Sequence, residues 1–403
     1  MSSPSDNQRF RDILHRLAQH GTLDDPEVAT HLSTGLAGFL SRWKDEVLPF
    51  VAAGGAELRF IEGPNGRGKT HFLQTLEICA QREGFVTSRV ECGMQHKPFA
   101  SLQDTYRAVV TSMTVATTAN NGAASGTGLA WLLGQLPTEQ LAAFQKASRG
   151  NPGFRNLVIA YAKRAQTGQL RDPVSADLRA LIERDPNRHV TFSGLFQNAR
   201  QMGLSLNRPL GRIGKRNASV WLRSLLALPR QTGFKGLVVL FDETGADLSI
   251  RSNSGSRKEH QQHLANLRNL VDHLATGGTP ACSIVYATTR DLVEIARRDY
   301  PALSQRVERS ENGIFSESVS RNPRAIWCRL DELTNPPPDV PEFYEELGEK
   351  LITFASSAGI PSKRLEIIRA ELPTRATQMS RNLTQAAVRE FIKRTASDIL
   401  RAN

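Results

Sequence analysis

The chain has 403 residues, of which 39% are hydrophobic and 23% are charged, a composition that excludes wholesale disorder and predicts roughly two to three domains. The 51 Lys and Arg against 40 Asp and Glu give a net charge of +11, which favours contact with nucleic-acid phosphates. No stretch approaches the roughly 20 apolar residues that span a bilayer, the first residues hold no signal-peptide core, and the four cysteines have neither metal-ligand nor disulfide-framework spacing. We therefore expect a reduced cytoplasmic protein with no membrane contact.

Residues 1–117 predict a helical start followed by a strand–loop–helix–strand unit. Apolar residues recur at helical spacing, and short apolar runs next to glycines indicate strands. The predicted elements are helices over 6–20 and 35–52, a strand over 57–61, a helix over 69–82, a strand over 85–90 and a helix over about 100–117. This order is typical of a parallel sheet and places the chain in the α/β class.

The second half of the chain returns to a sheet after a long helical stretch. From 118 to about 230 we find no convincing strand, and residues 207–217 hold four basic residues among glycines, typical of an exposed loop. The apolar run 236–241 suits a central parallel strand. The further predicted elements are a helix over about 257–275, strands over 282–287 and 325–330, a Pro-rich linker over 335–339 and a last helix over 382–402.

A glycine-rich loop between the first strand and its helix carries the strongest chemical signal. It fits the P-loop (Walker A) pattern G-x-x-x-x-G-K-[ST] with the correct strand before it and helix after it. Its residues are Gly63, Pro64, Asn65, Gly66, Arg67, Gly68, Lys69 and Thr70. Such a loop cradles phosphates with backbone N–H groups at a helix N-terminus. Lys69 would reach the β- and γ-phosphates of ATP, the Thr70 hydroxyl would ligate Mg²⁺, and we expect the next residue, His71, to contact the nucleotide.

A P-loop needs a carboxylate for the metal at the tip of a neighbouring strand. The apolar run 237–241 is followed directly by Asp242 and Glu243. Asp242 would hold the Mg²⁺ shell, and Glu243 would act as general base toward the attacking water. The adjacent acidic pair favours hydrolysis over a simple switch.

Two later features resemble the AAA+ class of P-loop ATPases. The strand 283–287 ends at Thr288 and Thr289, one of which is similar to sensor 1, a hydroxyl that senses the γ-phosphate; a helix N-cap before Arg290 is the alternative. Residues 300–306 resemble the AAA+ segment that ends in an arginine finger. Arg is suited to a developing phosphoryl charge because its fork binds it bidentately.

The resemblance leaves some of these assignments open. For the finger, Arg306 competes with Arg309 and Arg324. In the last helices Arg381, or less favourably Arg375, would be the sensor 2 arginine, against the alternative of a solvated helix face.

The AAA+ resemblance implies the domain organisation. The expected domains are an N-terminal helical extension (1–50), two parts of an ATPase core (51–117 and 231–333), a helical insertion (118–230) and a C-terminal helical lid (338–403).

The chain further resembles the BrxD-type ATPases of BREX phage-defence loci. The resemblance covers most of residues 1–330, in the blocks 58–63, 69–73, 83–86, 98–107, 221–226, 267–272 and 300–307. The chain departs from the pattern of these ATPases at Arg67 and at residues 244–246, but neither difference removes a catalytic group. The resemblance implies a homo-oligomer, because an arginine finger acts on a neighbouring subunit, and partners in phage restriction such as methyltransferase or helicase components.

Three functions compete at this point. The first is a DNA-associated AAA+ ATPase, a motor or loader in defence. The second is a nucleotide-dependent switch or scaffold that recruits a partner without touching DNA. The third is another P-loop class such as a phosphotransferase, which the long helical insertion and the Asp242–Glu243 pair speak against.

Overall fold

The structure, a computed structural model, describes most of the chain. It covers residues 4–21, 25–92, 99–116, 126–146, 150–243, 254–275, 281–288, 292–309, 325–381 and 387–401.

A seven-stranded sheet is the centre of the described chain. Its strands are β1 (Ala56–Glu62), β2 (Val86–Cys92), β3 (Met113–Thr114), β4 (Leu237–Glu243), β5 (Cys282–Thr288), β6 (Val307–Arg309) and β7 (Ala325–Arg329). Their order across the sheet is β3-β2-β4-β5-β1-β7-β6. All neighbours are parallel except β2 and β3, which are antiparallel. The predicted α/β class is confirmed.

Helices surround the sheet and form a separate bundle. In the first half they are α1 (Pro4–His20), α2 (Pro26–Leu32), α3 (Ala37–Arg42), α4 (Leu48–Ala52), α5 (Lys69–Arg82), α6 (Leu102–Thr111), α7 (Leu129–Gly134), α8 (Thr138–Lys146), α9 (Pro152–Gln166), α10 (Pro173–Glu183) and α11 (Phe192–Gln201); a π-helical turn, Trp43–Val47, joins α3 to α4. In the second half they are α12 (Ala218–Gln231), α13 (Ser254–Ala275), α14 (Leu292–Asp299), α15 (Pro301–Ser304), α16 (Leu330–Leu333), α17 (Pro341–Ser357), α18 (Ser362–Ser380) and α19 (Ala387–Arg401).

The alternation of side chains along β4 explains the layered core. Leu237, Val239 and Phe241 point to one face of the sheet and pack with helices α6 to α13. Val238 and Leu240 point to the other face, where α3, α4 and α5 cover the sheet. All five side chains are buried, as expected for a central parallel strand between two helical layers.

A third cluster joins the two ends of the chain. Helices α1 and α2 share a hydrophobic core with α17, α18 and α19. The segment 1–50, interpreted from sequence as one extension, is thus divided between this bundle and the layer of α3 and α4 on the sheet.

The structure differs from the predicted helix over about 100–117. Helix α6 ends at Thr111, and the chain then forms the short edge strand β3 against β2. The hydroxyls of Thr87 and Thr114 lie 2.9 Å apart, and Met113 is fully buried. Pairing with the edge of the sheet therefore outweighs helical propensity here.

Candidate functional site

The P-loop lies at the carboxyl edge of the sheet, where β1, β4 and β5 all end. Strand β5 separates β1 from β4, and Glu62 of β1 is in register with Thr288 of β5. The N–H of Gly63 donates to the carbonyl of Thr288 at 3.0 Å. The loop is therefore fixed to strands β1 and β5, at the edge of the sheet where parallel sheets bind their ligands.

The glycines give the loop a backbone that other residues rarely adopt. Gly66 and Gly68 have φ values of 81° and 92°, in the left-handed region that favours glycine. Gly68 is the N-cap of α5 and supplies no side-chain cap. Since the first N–H groups of a helix have no partner within the helix, the first turn of α5 presents donors and the positive helix end at the loop, as an anion site requires.

The Lys69 side chain is held against the loop. It is 6% exposed, and its Nζ donates to the carbonyl oxygens of Gly63 at 2.7 Å and Pro64 at 3.1 Å. The ammonium group thus lies within the loop that the sequence predicted to bind phosphate.

The predicted acidic pair ends the strand β4. Asp242 is 4% exposed and is in register with Ala287 of β5, while the backbone of Glu243 is in register with Cys92 of β2. The Glu243 side chain lies outside the described part of the structure. Asp242 is thus on the strand next to Thr288, at the same edge as the P-loop.

A cleft of about 880 Å³ opens beside the loop and brings several predicted residues together. Its sheet side is lined by Asn65, Gly66, Arg67, Gly68, Lys69, Thr70, His71 and Asp242. Its other side comes from α1, α2, α17 and α19 and includes Val28, Leu32, Phe343, Leu347 and Ile392. The sheet side of the cleft is therefore mainly polar, whereas the helical side combines these apolar side chains with the polar His20 and Arg389.

Two side chains of the cleft have buried nitrogen atoms without a hydrogen-bond partner among the described residues. They are the Nε of Arg67 and the Nε2 of His71. Burial, together with the nearby Lys350 ammonium, lowers the pKa of His71 to about 4. His71 is therefore neutral at pH 7, and Arg67 brings a guanidinium to the phosphate-loop end of the cleft.

Among the described residues, Thr288, Arg306 and Arg381 do not line the cleft. Thr288 is fully buried, and the structure does not describe Thr289. Arg306 donates through Nε to the Asp272 carboxylate and through NH1 to the Ala302 carbonyl at 2.7 Å. Arg381 is exposed at the C-cap of α18.

Neither alternative to Arg306 can be placed in full. The side chain of Arg309, at the end of β6, and the whole of Arg324 lie outside the described part of the chain.

The structure adds an arginine that sequence reasoning missed. Arg389, in the first turn of α19, lines the cleft, whereas Arg381 does not. The helical spacing in the last segment identified a helix but carried no information about which of its arginines would face the loop. Only the packing of α19 on α1 beside residue 21 places Arg389 there.

The described ranges contain neither a ready-made metal cluster nor a membrane-spanning helix. Among these residues no group of three or more His, Cys, Asp or Glu side chains could hold a metal ion by itself. None of the described helices combines the length and the apolar character needed to cross a bilayer.

This geometry defines a class of protein: an α/β fold with a P-loop sequence beside an open cleft. The family model of the BREX system ATP-binding protein BrxC/D matches residues 8–161 and 205–400. The chain therefore belongs to this family, which confirms the resemblance predicted from sequence and supports an ATP-binding role in BREX defence. Neither the curated proteins nor the solved structures contain a match to the chain.

Proposed function

We propose that this protein is a Mg²⁺-dependent AAA+ ATPase of anti-phage defence, coupled to DNA, to partner proteins or to both. The single observation that carries the proposal is that P-loop residues 65–70 and Asp242 line one cleft. The order of the strands supports the AAA+ type, because β5, with its terminal Thr288, lies between the P-loop strand β1 and the strand β4 that ends in the acidic pair.

Phosphate binding would use the loop and the start of α5. The N–H groups of the first turn and the positive end of the helix attract phosphate oxygens. Lys69, now hydrogen-bonded to two loop carbonyls, would turn its ammonium toward the β- and γ-phosphates. Charge-assisted hydrogen bonds of this kind are roughly twice as strong as neutral ones.

The residues present fit a magnesium ion. The exposed Thr70 hydroxyl and the buried Asp242 carboxylate lie on the same cleft, and Mg²⁺ is usually bound through one or two protein oxygens plus substrate phosphates. When bound, Mg²⁺ would neutralise charge on the phosphate oxygens. Thr70 and Asp242 are the groups that would hold it.

Hydrolysis would depend on the strand ends beside the loop. Glu243 follows Asp242 in β4 and would accept the proton of the attacking water. Thr288 ends the adjacent strand, and its backbone already holds Gly63. We assign it the role of sensing the γ-phosphate.

The apolar half of the cleft would take the base of ATP. Val28, Leu32, Phe343 and Leu347 supply an apolar wall, and the flat face of adenine loses little by leaving water for such a wall. Arg389, from the first turn of α19, also lines the cleft, and we assign it, in place of Arg381, the sensor 2 role of reaching across to the phosphates.

The position of Arg306 favours a second candidate, a slow nucleotide-dependent switch that recruits a partner without touching DNA. The guanidinium is paired with Asp272 of its own chain and lies outside the cleft lining. A finger acting on a neighbouring subunit in a homo-oligomer would have to leave this carboxylate, so turnover by a single chain would be slow. Methyltransferase or helicase components of the defence system are the partners that we expect, in the cytoplasm.

Turnover assays test the proposal and separate its two forms. ATP hydrolysis is measured for the wild type and Glu243→Gln, with and without double-stranded DNA, at low and moderate salt. We expect turnover that DNA stimulates in the wild type and that disappears in Glu243→Gln while ATP still binds. Turnover indifferent to DNA would leave the partner-directed switch. Phosphorylation of a small acceptor instead of water would establish a phosphotransferase and overturn both forms.

A further inference from the structure

The excess of positive over negative charge in this protein lies mainly in one segment. Between Pro186 and Phe241 there are nine Lys and Arg residues and no Asp or Glu. The rest of the chain has 42 Lys and Arg against 40 Asp and Glu, a net of only +2. The net positive charge therefore comes almost entirely from these 56 residues, all of which the structure describes.

Within this segment, residues 203–217, here called the basic arm, run along helix α11. The Arg208 guanidinium lies 4.2 Å from the centre of the Phe196 ring, and that of Arg212 lies 5.4 Å from the centre of the Phe192 ring. The two rings are four residues apart on α11 and so lie side by side on one face of the helix. The stacking holds two exposed cations next to each other.

Hydrogen bonds fix the backbone of the basic arm. The Asn156 side chain donates to the carbonyl of Pro209 at 3.0 Å, and the N–H of Gly211 donates to the carbonyl of Gly153 at 3.2 Å. The Asn217 amide donates to the carbonyl of Arg212 at 3.0 Å. The arm is thus tied to the start of α9 and to its own far end, so the backbone that carries its cations is held in place before any ligand binds.

The cations of the arm have no acidic partner in the part of the chain that the structure describes. Arg208, Arg212, Lys215 and Arg216 are all exposed, and none of them takes part in an ion pair there. Arg188 differs from these four, since it pairs with Asp177 at 2.7 Å. Unpaired surface cations that share one fixed strip of backbone are suited to a polyanion, because each releases a counterion when it contacts a phosphate.

We propose that the basic arm and α11 form a binding surface for the phosphate backbone of double-stranded DNA. This inference rests on the DNA-coupled form of the proposed function and gives it a location. None of the arm's residues lines the nucleotide cleft. The family match also omits residues 162–204, which include α10 and α11, so half of this surface lies beyond what the family match covers.

The geometry favours a duplex over a single strand. Proteins that bind single strands use aromatic rings on which bases stack. Here the outer faces of Phe192 and Phe196 are covered by guanidinium groups, so the surface offers cations to a backbone and no ring to a base. Backbone contacts of this kind position a protein on a duplex without reading its sequence.

Fluorescence anisotropy with a labelled DNA duplex, over a series of salt concentrations and without nucleotide, tests the surface. The variants are Arg208→Ala/Arg212→Ala and, farther along the arm, Lys215→Ala/Arg216→Ala. The control is Arg171→Ala/Arg401→Ala, which removes the same charge from two exposed positions outside residues 186–241. The slope of log affinity against log salt is negative, and each arm variant should make it less steep by about two units, because two phosphate contacts are lost. At low salt, the affinity of the control should stay closer to the wild-type value than the affinity of either arm variant.

The outcomes are separable from those of the ATPase proposal. Arm variants that bind the duplex as well as the control does, or a wild type that binds no duplex while it hydrolyses ATP, would overturn the surface. Tighter binding of the matching single strand or of duplex RNA would overturn the assignment to double-stranded DNA. If ATP neither binds nor turns over but duplex binding still depends on Arg208 and Arg212, the surface stands and the ATPase proposal fails.

Discussion

Gly63 and Thr288 are joined by a 3.0 Å hydrogen bond from the N–H of the first P-loop glycine to the carbonyl that ends β5. Thr288 is fully buried, and it pairs in register with Glu62, the residue before Gly63. The loop that would hold phosphates is therefore joined directly, backbone to backbone, to the strand that would sense the γ-phosphate. A change at either residue is expected to reach the other directly.

Replacement of Lys69 by alanine should abolish most of the ATP affinity. The change removes a buried ammonium group that lies within the P-loop, and loss of a hydrogen bond to a charged group is worth about 1.5–3 kcal/mol, or roughly 10- to 100-fold in the dissociation constant. Calorimetric titration with ATP and Mg²⁺ measures it. Lys235→Ala, at an exposed lysine paired with Glu83, is the control, and equal affinity in both variants would contradict the assignment of Lys69.

Arg389 and Arg381 should respond differently to the same substitution. Arg389 lines the cleft and Arg381 does not, so Arg389→Ala should weaken ATP binding about 10-fold, the effect of one charge-assisted contact, while Arg381→Ala should leave it unchanged. Titration with a fluorescent ATP analogue compares the two variants under identical conditions. The reverse order of effects would restore the sequence-based choice of Arg381.

The pair Arg306–Asp272 should restrain turnover. The carboxylate of Asp272 binds both Arg306 and Arg268. Asp272→Asn removes the negative charge that holds Arg306 and should raise ATP turnover several-fold. Arg306→Ala should instead lower ATP turnover by roughly 10³-fold, as loss of an arginine finger does. Steady-state hydrolysis over a range of protein concentrations measures both, with Arg298→Ala, at another arginine paired with an aspartate, as the control. Wild-type turnover in Arg306→Ala would transfer the finger to Arg309 or Arg324.

The P-loop, the acidic pair and the strands that carry them could be read from the sequence because their signals are local. A glycine pattern between a strand and a helix, or an apolar run ending in Asp242, needs only neighbouring residues. The choice of Arg389 over Arg381 depends on how α19 packs against α1, and the stacking of Arg208 on Phe196 depends on the path of the arm. Contacts between residues far apart in the chain produce no local sequence pattern, so neither contact could be predicted from the sequence.

His263 should make the protein less stable as the pH falls. Burial lowers the pKa of His263 to about 3, against about 6.5 in an unfolded chain; below pH 6.5 the unfolded state binds a proton that the folded state does not. Between pH 7 and pH 5 this costs about 2 kcal/mol of stability, a loss that His263→Phe should remove because the ring beside Phe99 can no longer titrate.

Urea unfolding at pH 7, 6 and 5 measures this difference. His189→Phe, at an exposed histidine, should retain the wild-type loss of stability on acidification. A parallel decline in wild type and His263→Phe would mean that other groups account for the acid sensitivity.

The bundle that closes the nucleotide cleft brings together α1 and α19, which are more than 360 residues apart in the chain. During synthesis the P-loop and most of the sheet leave the ribosome long before α19, so the wall that carries Arg389 and Ile392 is the last part of the cleft to form. A nascent or C-terminally shortened chain would present the loop without this wall. The cleft thus gains its second wall only when α19 has been synthesised and has packed on α1, so a nucleotide could contact both sides only in a chain that already contains α19.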